Sequence, residues 1–386
     1  MAQKTKPGKP DLILLFAAVF LLAIGLIMVL SASSLFSFKQ TDNSFYLFFK
    51  QLRWALIGSI AAFVTFLVPY KYWKKVSGLG VLISIVLLLL LRYSDLAVTE
   101  KGSTRWLEIM GLSIQPSEIA KLALVLFLAY ILSRYPVKKL TDALFPLFVM
   151  GVIMVLVYKQ PDLGTTVVIA LAGGAMLLMT ELNILYFLTA APVLGAICFY
   201  LIRHEAYQWN RILGWLYPWE YATTYGWQSV NAQIAFGSGG LFGIGIGRSA
   251  AYGSLPENYT DTIYAVIGQE FGFFGTCIVL VGFAVLISRG YIISRQCPDS
   301  FGRLLAFGIT TMLAVQTAVN LCVVTGLLPV TGITLPLISY GGSSLLITMV
   351  EIGILLNVSR YRKTTAENRI TSYSEYKFKS RGMSVS

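Results

Sequence analysis

The chain has 386 residues, of which 56% are hydrophobic and only 12% charged, and its formal net charge is +12. With a mean hydropathy of +0.72, it lies far from soluble domains, which carry about a quarter charged residues, and this excludes an ordinary water-soluble enzyme. Four cysteines at no metal-ligand spacing read as small buried apolar residues, and the single histidine, His204, heads no metal cluster.

Apolar blocks near the roughly 20 residues needed to cross a bilayer recur along the chain. Ten spans are predicted, at about 12–33, 51–70, 75–91, 117–133, 142–158, 164–180, 184–201, 266–288, 303–324 and 341–358. The first, "DLILLFAAVFLLAIGLIMVL", follows basic residues as a signal peptide would. It is too long for a signal core and lacks a small-x-small cleavage site, so it reads as a retained anchor. With the N-terminus inside, 19 of the 30 Lys and Arg residues fall on the cytoplasmic side, in the "KYWKK" turn, after Arg134, around Arg295 and in the tail. That bias supports an even number of spans with both termini cytoplasmic. The expected plan is therefore all-α, one ten-span membrane domain over 1–360 followed by a disordered basic tail, 361–386. No aromatic-interleaved basic domain accompanies the tail, so anionic lipid headgroups are its expected partner and nucleic acid is not.

Polar residues interrupt this pattern at few places. Arg105 and Trp106 lie in an outer loop, where the arginine fork suits a phosphate. In "QPSEIAK", Pro116 and Ser117 suit a helix start, with serine as a cap, and Glu118 and Lys121 follow on one helical face. They read either as a structural ion pair or as part of a polar cavity shared with other spans. Asp162 in "YKQPDLGTT" is placed to cap a helix near Thr165. The long outer loop, about 202–265, begins rich in Trp and Tyr, and a membrane-lying helix is expected over 205–220.

Next comes "GSGGLFGIGIG", 237–247, which lacks the endings of a nucleotide loop. It is either an anionic-headgroup site with Arg248 or a re-entrant turn whose glycines serve packing. "SLPENYTDTIYAVIGQE" then sets Glu257, Asp261 and Glu270 at the mouth of a span, where charges are costly unless used. Gly240, Gly243, Gly245, Pro256 and Glu257 are candidate supports of this loop. Before the last span, Pro329, Gly332 and Pro336 break the helix, a feature tolerated at membrane depth only beside a cavity or within protein. Glu351 is the only acidic residue deep in that last span.

"QPSEIAK", "QPDLGT", "GSGGLFGIGIG", "LPENYTDTIYAVIGQEFGF" and "GLLPVTGITLPLISYGGSSL" together resemble the SEDS family (shape, elongation, division and sporulation) over residues 11 to 360. The opening and the "TGITLPLISYGGSSL" form look more like its FtsW and SpoVE branch. The resemblance implies a glycosyltransferase that polymerises lipid II into peptidoglycan on the outer face of the bacterial cytoplasmic membrane, at the septum. It implies a class B penicillin-binding transpeptidase as partner, with other division or sporulation membrane proteins. Asp261 falls on the family's essential aspartate, Glu118 and Lys121 on its span-four pair, and Arg105 and Trp106 on its "RW". Thr262 and Gln269 depart from the family's phenylalanine and first glutamate.

For such a transfer Asp261 would serve as general base toward a sugar hydroxyl. The diphosphate would need Arg105, Lys121, Arg248 or a divalent cation (Mg2+ or Mn2+) bridging to Asp261, with Glu270 in the cavity. Two other readings stay open: a lipid II flippase or related transporter using the same charges, and a non-catalytic division scaffold.

Overall fold

A computed structural model of the chain describes residues 7–93, 97–100, 103–109, 112–249 and 259–362. Among them, nine helices are long and apolar enough to cross a membrane. These are α1 (Leu12–Thr41), α2 (Tyr46–Leu67), α3 (Trp73–Tyr93), α4 (Pro116–Arg134), α5 (Leu140–Tyr158), α7 (Ile184–His204), α10 (Ile263–Gln296), α11 (Ser300–Val324) and α12 (Gly342–Ser359). A tenth apolar helix, α6 (Leu163–Leu178), spans only 16 residues, a rise of about 24 Å against a hydrocarbon core of ~30 Å. It packs against α4, α5 and α11, so protein rather than lipid surrounds much of it. Ten apolar helices match the predicted plan, although α1 runs on to Thr41 and α10 from Ile263 to Gln296.

Local chemistry starts several of these helices. The Asp11, Asp162 and Asp299 carboxylates accept from the N–H groups of Leu14 (3.0 Å), Thr165 (3.1 Å) and Gly302 (3.2 Å), capping α1, α6 and α11. Pro116 takes the first position of α4, as expected. Ser117 does not cap it: the extended Gln115 holds that position, and the buried Ser117 hydroxyl has no partner among the described residues.

Most of the central stretch of α4, α11 and α12 is buried, whereas none of that of α7 is. α4, α11 and α12 therefore form the interior, where an unpartnered polar group is costly. The two ends of the described chain meet at one end of the bundle. Gly8 N–H donates to the Arg360 carbonyl at 2.7 Å, Asp11 N–H donates to Ser359 Oγ at 3.0 Å, and the Asp11 carboxylate takes Arg289 and Arg362. An even number of spans is consistent with both ends lying at the same face of the membrane.

Several features depart from a plain helical bundle. Between α3 and α4 lies a small antiparallel sheet, β1 (Ala97–Glu100), β2 (Ser103–Ile109) and β3 (Leu112–Ile114), in that order, with Val98 opposite Trp106 and Leu107 opposite Ile114. The long loop between α7 and α10 holds two short helices, α8 (Ala206–Leu216) and α9 (Trp227–Ser238), the first within the expected 205–220. The third departure is the segment 325–341 between α11 and α12, which is non-helical, as Pro329, Gly332 and Pro336 dictate. It folds back into protein: Leu335 and Ile338 are buried, and the carbonyls of Ile333, Thr334 and Ser339 accept from Asn320, Gln316 and Gln51.

α10 is broken at Gly272 (φ 66°, ψ −162°), and the glycine run closes the break. Phe273 and Phe274 N–H donate to the Gly240 and Leu241 carbonyls, while Ile244 and Gly245 N–H donate to those of Gln269 and Glu270. The backbone groups freed by the break are thus satisfied across the loop. At Gly243 (φ 82°) an added Cβ would strike the Glu270 carbonyl, so packing against α10 accounts for this glycine. Pro256, Glu257 and the tail from 363 lie outside the described residues.

Candidate active site

Asp261 sits in the turn just before α10, buried, with 6% of its surface exposed. Its Oδ2 accepts from Gln228 Nε2 on α9 at 2.8 Å, and its Oδ1 from the Thr260 hydroxyl at 3.3 Å. Its main-chain carbonyl accepts from Asn320 Nδ2 on α11 at 2.8 Å, and the same amide reaches the Ile333 carbonyl at 2.8 Å. Ser339 Oγ donates to the neighbouring Thr260 carbonyl at 2.6 Å. The turn is therefore pinned from α9, α11 and the 325–341 segment. Burial raises the Asp261 carboxyl above the usual range, and the Gln228 bond, Arg211 charge and Thr260 hydroxyl oppose this without cancelling it. A carboxylate so raised is a stronger base than a solvated one.

Four residues along α11 from Asn320, one turn on the same face, lies Gln316. Its Oε1 accepts from Lys121 Nζ at 2.7 Å, and its Nε2 donates to the Thr334 carbonyl at 3.1 Å. Lys121 also pairs with Glu118 Oε1 at 2.9 Å, and both residues are buried. α11 thus joins two clusters that are 140 positions apart, Glu118–Lys121 and Asp261. Reading the sequence missed Gln228, Gln316 and Asn320. The signal for the last two was present, as amides four apart in an otherwise apolar span. It also missed Arg211 on α8, whose guanidinium donates to the Val330 carbonyl (3.1 Å) and the Tyr207 hydroxyl (2.5 Å) and whose charge acts on Asp261.

Other predicted residues sit differently. Arg105, on β2, grips the turn before α6: it donates to the Gln160 carbonyl at 3.1 Å and to the Pro161 carbonyl, and approaches Asp162 at 4.0 Å. Trp106, half-buried beside it, pairs with Val98 across the sheet. Glu270 is buried and accepts from Ser31 Oγ (2.7 Å), Gly247 N–H (3.1 Å) and the Ser249 hydroxyl. Nine positions separate it from Asp261, about 13 Å along a helix, and these bonds tie α1 and the glycine run to α10. Gly240, Gly243 and Gly245 form that run, and Arg248 at its end is exposed. No three His, Cys, Asp or Glu residues come together as a metal set among the described residues, and the bonds described at the Asp261 carboxylate go to Gln228 and Thr260. The described side chains alone assemble no such metal set.

The family described as "Cell cycle protein", which groups FtsW, RodA and SpoVE, matches residues 12–364. The chain belongs to the SEDS family. Among SEDS relatives, it is 40% identical over 367 residues to Stage V sporulation protein E of Bacillus subtilis, covering 93% of this chain and 99% of that protein. It is 37% identical over 353 residues to the probable peptidoglycan glycosyltransferase FtsW of Trichlorobacter lovleyi, covering 90% and 93%. Its fold superimposes with a TM-score of 0.79 and 28% identity on a chain of a solved peptidoglycan synthase complex, described as coordinating polymerisation and crosslinking, over 92% of this chain and 99% of that one. The SEDS fold thus covers the helices and both polar clusters.

Proposed function

We propose that the chain polymerises lipid II into glycan strands at the outer face of the cytoplasmic membrane, with Asp261 as general base. Its SEDS relatives include proteins described as peptidoglycan glycosyltransferases, and the chain is an enzyme of that kind. The observation that carries the residue assignment is a buried carboxylate of raised basicity, fixed by Gln228 and joined through α11 to a buried lysine.

In a single inverting displacement, the acceptor hydroxyl oxygen bonds to the donor's anomeric carbon. The bond from that carbon to the diphosphate breaks, and its electron pair leaves with the diphosphate. Asp261 takes the hydroxyl proton, without which the oxygen is a poor nucleophile. Lys121 and Arg211 supply positive charge toward the departing diphosphate. Arg105 acts through the Gln160–Asp162 turn, and Arg248 meets headgroups from the exposed end of the glycine run. Glu118 and Gln316 hold Lys121, whereas Glu270 holds the glycine run in place. A divalent cation would reach Asp261 only together with the substrate's phosphates.

The match to a synthase complex supports association with a crosslinking partner. Our proposed partner is a class B penicillin-binding transpeptidase, at a septum shared with other division or sporulation proteins. The joined chain ends then face the cytoplasm, anionic lipids meet the basic tail, and residues 1–360 act as one membrane domain.

The test is polymerisation by the purified protein with its cognate transpeptidase, from lipid II in detergent, where translocation has no meaning. Glycan is expected, unaffected by penicillin or moenomycin. Absence of glycan together with lipid II movement in sealed vesicles would instead make the chain a transporter.

A further inference from the structure

Helices α1 and α10 run antiparallel: Arg289 of α10 pairs with Asp11 at the start of α1, whereas Glu270 accepts from Ser31 farther along it. Between them lies an open groove of about 670 Å³, lined by apolar and small side chains. Its small residues explain its shape. Gly282 lets α1 come close, since an added Cβ would lie 2.9 Å from Leu21 and 3.5 Å from Phe20. Ala17 lines the groove from α1, and Phe16, Phe20, Ile278 and Val281 line it while standing exposed to the bilayer.

Its depth points to the occupant. On α10 the lining runs from Phe274 to Val285, a rise of about 17 Å. That is roughly half of the ~30 Å hydrocarbon core, the reach of one acyl chain in one leaflet. A membrane-crossing helix of a partner would need the whole core.

Charge marks one end. The stripe that includes Phe274, Ile278, Val281 and Val285 reaches Arg289 one turn further on, on the same face of α10. Arg289 and Arg362 both pair with the buried Asp11 carboxylate, and their side chains remain 23% and 32% exposed. Two cations against one anion leave a positive charge at the groove's mouth. Surrounding lipid tails are as apolar as the groove, so hydrocarbon alone selects nothing. Selection comes from the headgroup, because a phosphate anion suits the arginine fork and basic pockets between spans take anionic heads.

We propose that the α1–α10 groove binds one anionic phospholipid, with an acyl chain along Gly282 and the phosphate on Arg289 and Arg362. The lipid belongs to the membrane face where the described chain ends meet, the cytoplasmic leaflet in the orientation proposed above. It offsets the remaining positive charge and ties α1, α10 and the segment after α12 together. This is a defined site, separate from the attraction of a basic tail to the surface, and it does not depend on the catalytic reading.

The experiment places the protein in phosphatidylcholine nanodiscs. A trace of phosphatidylglycerol, or of phosphatidylcholine, carries a diazirine on one acyl chain. After irradiation the labelled peptides are mapped by mass spectrometry, with α7, none of whose central stretch is buried, as the reference for bulk lipid. Relative to α7, phosphatidylglycerol is expected to label 13–20 and 274–285 about fivefold more than phosphatidylcholine does, the effect of one surface charge. Equal labelling by the two probes overturns the proposal. Arg289→Gln with Arg362→Gln should remove the preference, and Val281→Trp, which fills the groove, should remove the labelling. Persistence of the preference in the first variant, or of the labelling in the second, overturns it. Wild type in about 1 M salt keeps the test open even if the variants do not fold: screening should bring the ratio toward one, and a salt-independent preference overturns the proposal. Loss of the labelling when the cognate transpeptidase is bound would assign the groove to that protein's membrane helix and overturn it as well.

Discussion

Exchanging the charges of the α4 pair, by the double change Glu118→Lys and Lys121→Glu, separates a structural bridge from a substrate contact. Either single change leaves one buried charge facing a like charge without its partner, at a cost of about 3–5 kcal/mol, and should impair assembly. The double change restores opposite charges three residues apart on one face. What it does not restore is the bond to Gln316, whose Oε1 now accepts from Lys121 at 2.7 Å and would instead face a carboxylate. Rotating that amide would set its oxygen against the Thr334 carbonyl, now 3.1 Å from Nε2. The residual penalty is one unsatisfied buried contact, about 1–3 kcal/mol. The swapped protein should therefore assemble, with a lowered melting temperature. Its polymerisation of lipid II should fall by at least about a hundredfold, because the cation facing the diphosphate has become an anion. Size-exclusion chromatography and thermal unfolding in detergent report assembly, and labelled lipid II reports turnover. Near-normal turnover in the swapped protein would refute the reasoning and leave Glu118 and Lys121 as a structural pair.

Gln228→Leu removes a bond that opposes the raised pKa of Asp261, so the acidic limb of kcat/KM should move to higher pH, and an unmoved limb would deny Gln228 this role. Gly272→Ala places a Cβ against the backbone of Leu241 and Gly243 at a φ of 66°, and should destabilise the protein by more than about 3 kcal/mol; an unchanged melting temperature would contradict the packing role of the glycine run. At Asp11, burial pushes the carboxyl up, but the bonds and charges of Arg289, Leu14 and Arg362 outweigh it and the pKa is lowered. Its stabilising share is thus present above an unfolded value of about 4 and is lost as pH falls through the folded one. Asp11→Asn should accordingly be less stable than wild type at pH 7 and close the gap at low pH, whereas a pH-independent gap would disprove the linkage.

Much of this arrangement could be read from residues close together in sequence. Apolar runs gave the ten helices, because crossing lipid requires an unbroken hydrogen-bonded segment. Asp162 could be placed as a cap three residues from Thr165, and Pro329 to Pro336 as a break, because both effects act within a turn of chain. The sheet over 97–114 was harder. Its strands run to 4, 7 and 3 residues, too short for a clear alternating pattern to announce them. Contacts across long separations were not legible at all. Glu270 binds Ser31 across 239 positions, and nothing periodic in either segment announces that they meet. Arg211 stood in an aromatic stretch that suits a membrane surface, and only packing against Val330 and the field at Asp261 reveals its other side.

The most direct measurement of the central claim is glycan formation by purified Asp261→Asn beside wild type, with lipid II and the cognate transpeptidase in detergent. Asparagine keeps the size of the side chain and its reach to Gln228 but cannot take a proton from a hydroxyl. The account predicts a folded, partner-binding protein whose polymerisation is lost by a factor of about 10² or more. Full polymerisation by that variant would contradict it.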